Sequence, residues 1–242
     1  MRFILCLFVF MASFCIGYAI EFSPMSATFD GSGDNATQSF QVYNPSSTDK
    51  AAVRLFIGDR SIDVDGNDTF VENEEDFIIY PPQMILQPEQ TQIVRVTWMG
   101  NEESSVERAY RIIAEQLPVD LKKRESDGKA SIRLLMRFVG SIYVVPNDAS
   151  ADIVLESSYE DSSDDMVLLF ENRGTAHALL RELSLSITPH DTDVEALHFS
   201  SEELAGISGE NILAGSKRKF FLSLPDDFAK NAFDIKFSYD NE

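Results

Sequence analysis

Cysteine is nearly absent from this 242-residue chain, and both copies, Cys6 and Cys15, fall in the apolar stretch at its start. The rest must fold without disulfides, and thiolate metal sites and cysteine nucleophiles are excluded from it. Histidine is scarce too: His177, His190 and His198 lie in a loop-rich region without metal-ligand spacing. Beyond the first residues, no run approaches the roughly 18 apolar residues a membrane-spanning helix needs. There is no Gly-x-Ser-x-Gly elbow and no phosphate-cradling glycine loop. Adjacent carboxylates such as Asp164-Asp165 would point oppositely on a strand and could not cooperate. No catalytic constellation is visible, and the sequence calls for no cofactor and no metal. Positive charge is in short supply: 20 basic residues face 40 acidic ones, a net charge of −20. Such a surface repels nucleic acid and anionic lipid, so neither is an expected partner.

What is present begins with a leader. Arg2 precedes an apolar run ending in Gly17-Tyr18-Ala19, which reads as a secretory signal peptide cut after Ala19, with export rather than membrane insertion as its consequence. About 220 residues then remain, comfortable for two domains of about 100 each. The boundary is placed at Pro146-Asn147-Asp148, giving domains 20–146 and 147–242. Nine of the twelve basic residues of the first domain fall between Arg95 and Arg137.

The pattern throughout is of short β-like runs separated by turn residues, with no sustained helical period. Runs at 39–43, 51–57, 77–80, 84–86, 92–98 and 107–118 follow an extended start at 20–29. Asp63-Val64-Asp65-Gly66-Asn67 is a polar turn; with Glu74 it has some calcium-loop spacing, but Asp68 stands where the loop needs glycine. Tyr80-Pro81-Pro82 ends pairing and invites a cis bond. In the second part, runs at 152–157, 166–171, 179–187, 219–224 and 232–239 repeat the style. The expected class is all-β, two immunoglobulin-like sandwiches.

One stretch stands out. In Ala130–Pro146, Ile132, Leu134, Met136 and Phe138 alternate with Arg133, Leu135, Arg137 and Val139, so the first set forms one apolar row. A strand of about 14 residues would span over 40 Å, against a usual length of about 5–6 residues. Such a row is either a long final strand leading into the second domain or a surface lent to another protein.

Several short motifs occur together in order: Phe29-Asp30-Gly31, Tyr80-Pro81-Pro82, Leu86-Gln87-Pro88-Glu89, Val94-Arg95-Val96, Glu107-Arg108-Ala109-Tyr110-Arg111, Glu115-Gln116-Leu117-Pro118, then the row ending at Pro146. With the leader, this order resembles the periplasmic pilus-assembly chaperones of the PapD-like superfamily, and the Arg-x-Tyr-Arg piece is more similar to their archaic chaperone–usher branch. The resemblance implies two immunoglobulin-like domains set at an angle around a cleft. It implies a non-enzymatic periplasmic chaperone that holds pilus or fimbrial subunits by donor-strand complementation and delivers them to an outer-membrane usher. Ile132, Leu134, Met136 and Phe138 would be the donated row. The family's usual arginine and lysine that hold the subunit's terminal carboxylate correspond here to Ser26 and Ser141. Arg95 and Arg111 are therefore the candidate anchors, since a guanidinium grips a carboxylate through two parallel hydrogen bonds. The alternative is a secreted two-domain adhesion or structural module without a subunit client.

Overall fold

The computed structural model describes residues 20–101, 104–118, 134–159, 165–190, 195–225, 228 and 232–240. Among them there is no α-helix, only a single 3-10 turn at Asp34–Ala36, and the architecture is all-β.

Ten strands precede residue 146: β1 (Glu21–Ser23), β2 (Ser26–Phe29), β3 (Thr37–Tyr43), β4 (Ala51–Ile62), β5 (Asp68–Glu72), β6 (Phe77–Tyr80), β7 (Gln83–Leu86), β8 (Thr91–Trp98), β9 (Arg108–Gln116) and β10 (Arg137–Val144). They form two facing sheets. One has the order β1-β3-β8-β6; the other has β2-β10-β9-β4-β5, with β7 joined to β4. Alternation explains the packing. Phe40 and Val42 of β3, Val94 and Val96 of β8, Leu55 and Ile57 of β4, Tyr110 and Ile112 of β9, and Ile142 and Val144 of β10 are all buried in one core. Phe77 sits edge-on to Phe29, Trp98 and Tyr110, closing one end. The peptide before Pro81 is cis, as is the one before Pro24.

Eight strands follow: β11 (Ile153–Tyr159), β12 (Asp165–Asn172), β13 (Ala178–Leu179), β14 (Arg181–Pro189), β15 (Leu197–Phe199), β16 (Asn211–Ile212), β17 (Lys217–Ser223) and β18 (Phe233–Asp240). Sheets β11-β12-β17 and β15-β14-β18, with the pair β13-β16, enclose a second core around Phe170, Leu185, Ile187 and Phe220.

The two sandwiches touch through a small set of contacts. Ile62 and Tyr143 from the first pack with Leu213 from the second. The Tyr143 ring stacks on His177 at 3.8 Å, and its hydroxyl accepts a 2.7 Å hydrogen bond from Asn211 Nδ2. His177 Nδ1 lies 2.8 Å from Glu107 Oε2. The turn between β4 and β5 reaches across as well, where Lys219 N–H donates to Val64 O at 2.7 Å. Gly66, at φ +93°, lies so close that an added Cβ would fall 2.6 Å from Arg218 Nη2. Asp63 in that turn accepts from the Asp65 and Asn67 N–H groups and from Asn67 Nδ2, so its oxygens serve the turn itself.

Candidate functional site

Strand β10 is shorter than the sequence predicts. It starts at Arg137, and Leu134–Met136 precede it without regular structure, while Ile132 lies outside the described residues. The reason lies on β9. Gln116 N–H donates to Met136 O at 2.9 Å, and Leu117 N–H turns the other way to Ala52 O. The next N–H that would face β10 belongs to Pro118, which has none, so the ladder ends there.

The apolar row continues past that end. Ile142 and Val144 are buried in the first core, and Phe138 is half-buried against it. Leu134 is 77% exposed and Met136 37% exposed, so the row leaves its own core between Phe138 and Met136. Phe138, expected as a fourth donated side chain, thus already packs at home.

The other side of the strand is open along the same stretch. β2 pairs with β10 only from Ser26 onward, in parallel register Ser141↔Ser26 to Val144↔Phe29. Ser141 N–H donates to Met25 O at 2.8 Å. N–H and C=O groups on a strand alternate sides, so those of Val139 and Arg137 face the same way as Ser141's. Among the described residues nothing pairs with them there. Upstream of Met25 the chain crosses to the opposite sheet, where Ser23 pairs with Gln41. An exposed apolar segment, residues 134–136, therefore leads directly into a strand edge, residues 137–139, that no described residue pairs.

Arginine and serine meet a short way along the same strand. Ser26, Ser141 and Arg111 lie side by side in register across β2, β10 and β9. Arg111 Nη1 donates to Ser141 Oγ at 2.6 Å, and Arg111 Nη2 contacts Asp68 Oδ2. Arg60 approaches from β4: Nη2 donates to Asp68 Oδ2 at 2.7 Å, Nε to the same oxygen at 3.1 Å, and Nη1 to the Tyr143 hydroxyl at 2.9 Å. Burial works to raise the Asp68 pKa, but hydrogen bonds from Arg60 and Arg111 outweigh it and hold the carboxylate below its ordinary range. Arg111 is the candidate anchor in reach of β10.

Arg95 is not. It lies on β8, in register with Ser39 and Tyr80 on the four-stranded sheet, with its side chain on the exposed outer face. Of the two candidate anchors, Arg95 and Arg111, which lie on the outer faces of opposite sheets, Arg111 is the one beside β10.

Sequence reasoning missed Arg60, Asp68 and Tyr143. The inward row Val53-Leu55-Ile57 gives way to Asp59 and Ser61, so the apolar alternation stops before β4 does. Pairing with β5 carries the strand on to Ile62 and brings Arg60 to the face shared with Asp68.

The family model for the pili and flagellar-assembly chaperone, PapD N-terminal domain, matches residues 24–149. No curated protein sequence matches the chain. Among solved structures, the fold is similar to that of a chain in the CsuC–CsuE chaperone–tip adhesion subunit pre-assembly complex from the archaic chaperone-usher Csu pili of Acinetobacter baumannii. The TM-score is 0.55 at 16% identity, covering 84% of this chain and 89% of that one. It is also similar to the class 5 fimbriae chaperone CfaA, with a TM-score of 0.57 at 12% identity, covering 90% and 98% of the two chains. The chaperone DraB of E. coli gives 0.51 at 15% identity over 86% of each chain.

Proposed function

From the chain's membership of the pili and flagellar-assembly chaperone family with a PapD-type N-terminal domain, we propose that it holds a fibre subunit by lending it the segment Ile132–Met136 and the open edge of β10. The observation that carries this is that exposed Leu134 and Met136 adjoin main chain at Arg137 and Val139 that no described residue pairs on that side. Ile132, Leu134 and Met136 are the donated side chains, with Phe138 as the junction where the row enters its own core.

Magnitudes show why both features are needed. Burying three such side chains contributes about 1.5–3 kcal/mol each, whereas association costs roughly 4–15 kcal/mol. Side chains alone barely offset that, so main-chain pairing along the edge must add to it, as in other strand-addition complexes. The subunit's terminal carboxylate is then gripped by Arg111, which stands where the sheet places Ser141 and Ser26 beside it.

In this reading the chain is exported, loses residues 1–19, works in the periplasm and passes subunits to an outer-membrane usher, as in the archaic branch. Domain 20–146 carries the donor strand, and domain 147–242 forms the other wall of the cleft. The reading needs no cofactor, because pairing and burial supply the interaction. Leu134→Glu tests it: a small β-rich partner should co-purify from periplasm with the natural chain at near 1:1 and be lost with the variant. Undiminished co-purification contradicts donation by this segment.

A further inference from the structure

The guanidinium assigned above to the subunit's terminal carboxylate already holds a carboxylate of its own chain. Asp68 Oδ2 accepts from Arg60 Nε, Arg60 Nη2 and Arg111 Nη2. The two arginines hold it unequally. Arg60 presents two nitrogens to it in a fork, and its side chain is only 5% exposed. Its third contact, to the Tyr143 hydroxyl, ties it to the residue that meets Asn211 of the second sandwich. Arg111 touches Asp68 through Nη2 alone, and its side chain is 17% exposed. The Arg60–Asp68 contact is the fixed one; the Arg111–Asp68 contact is the one a competitor can break.

We infer that Asp68 is a built-in stand-in for the subunit's terminal carboxylate: it occupies Arg111 in the empty chain and yields it when a subunit arrives. This rests on the anchor reading of Arg111. Two guanidiniums against one carboxylate leave one positive charge over, so the cleft has room for one more anion without a buried like-charge pair. The stand-in also sets a threshold. A free guanidinium in a cleft collects passing anions at low concentration, whereas one already engaged takes a second carboxylate only at higher concentration, which a subunit docked alongside supplies. Arg60 is the positioning residue, because it retains Asp68 after Arg111 lets go and spares the chain an unpaired carboxylate.

The test titrates the folded chain with N-acetyl-glycyl-phenylalanine bearing a free carboxylate, and with the C-terminal amide of the same dipeptide, following the arginine Nε–H and aspartate carboxyl-carbon NMR signals. The carboxylate probe should move the Arg111 and Asp68 signals together and leave that of Arg60 in place; the amide should move none. Asp68→Asn should bind the carboxylate probe about fivefold more tightly, the size of a removed partly exposed ion pair. Unchanged or weaker binding by Asp68→Asn, or an Asp68 signal that stays still in the natural chain, overturns the stand-in while loss of binding in Arg111→Ala leaves the anchor intact. Equal binding by Arg111→Ala overturns the anchor, and the stand-in with it. The signal from the natural chain decides the matter even where Asp68→Asn fails to fold.

Discussion

Arg111 and Ser141 face each other across β9 and β10, and the arginine Nη1–H donates to the serine Oγ at 2.6 Å. The serine ties the guanidinium to β10, the strand into which the exposed apolar segment leads, so the proposed anchor and the proposed donated segment adjoin the same strand.

Removing that grip separates Arg111 from its neighbours. Arg111→Ala should weaken subunit retention by about 1.5–3 kcal/mol, the range for a hydrogen bond to a charged group. Arg108→Ala, three residues away and half-exposed near Asp76, should change it by no more than about 0.5 kcal/mol. Dissociation rates of the two variants from the co-purified partner measure the difference, and equal effects would refute the assignment.

The apolar row should divide in its effect on stability. Leu134→Ala removes a side chain that touches little, so urea unfolding should stay within about 0.5 kcal/mol of the natural chain. Phe138→Ala removes a ring half-buried against the core and should cost about 1.5–3 kcal/mol, less than the roughly 3–5 of a fully buried phenylalanine. Equal costs would mean that Leu134 is already packed in its own sandwich.

Alkaline pH should loosen the first sandwich through Tyr110. Its ring is buried, and its hydroxyl donates to Asp76 Oδ2 at 2.8 Å; burial first, and then that bond, push its pKa well above the ordinary value. The folded state thus favours the neutral phenol. Its contribution is fully present below the unfolded value of about 10 and is lost as pH rises from there through the folded pKa. Urea midpoints between about pH 8 and 11 should fall more steeply for the natural chain than for Tyr110→Phe. Parallel curves would show that Tyr110 carries no such linkage.

Much of the fold could be read from residue order. Period-two alternation marked most strands, and the Asp63–Asn67 turn closes the β4–β5 hairpin, with Gly66 N–H donating to Asp63 O. Strand β5 was missed because Asp68–Glu72 has no buried residue, and so no alternation to see. The exact start of β10 was also out of reach, since it depends on where β9 runs out of N–H groups at Pro118. The site was half visible: the row and Arg111 stood out by pattern and motif. Arg95 and Arg111, in neighbouring motifs, look alike until strands are assigned to sheets, and they fall on different ones. Asp68 and Arg60 gave no signal, because their meeting depends on a hairpin whose second strand the sequence does not announce.

In the proposed function, the edge of β10 is completed by another protein. Amide hydrogen exchange at Arg137 and Val139 reads that edge directly, in the isolated chain and in its complex with the partner recovered from periplasm. Both amides should exchange quickly in the isolated chain, with Ile142 slow, and both should become strongly protected in the complex. Protection already present in the isolated chain, or fast exchange that persists in the complex, would contradict it.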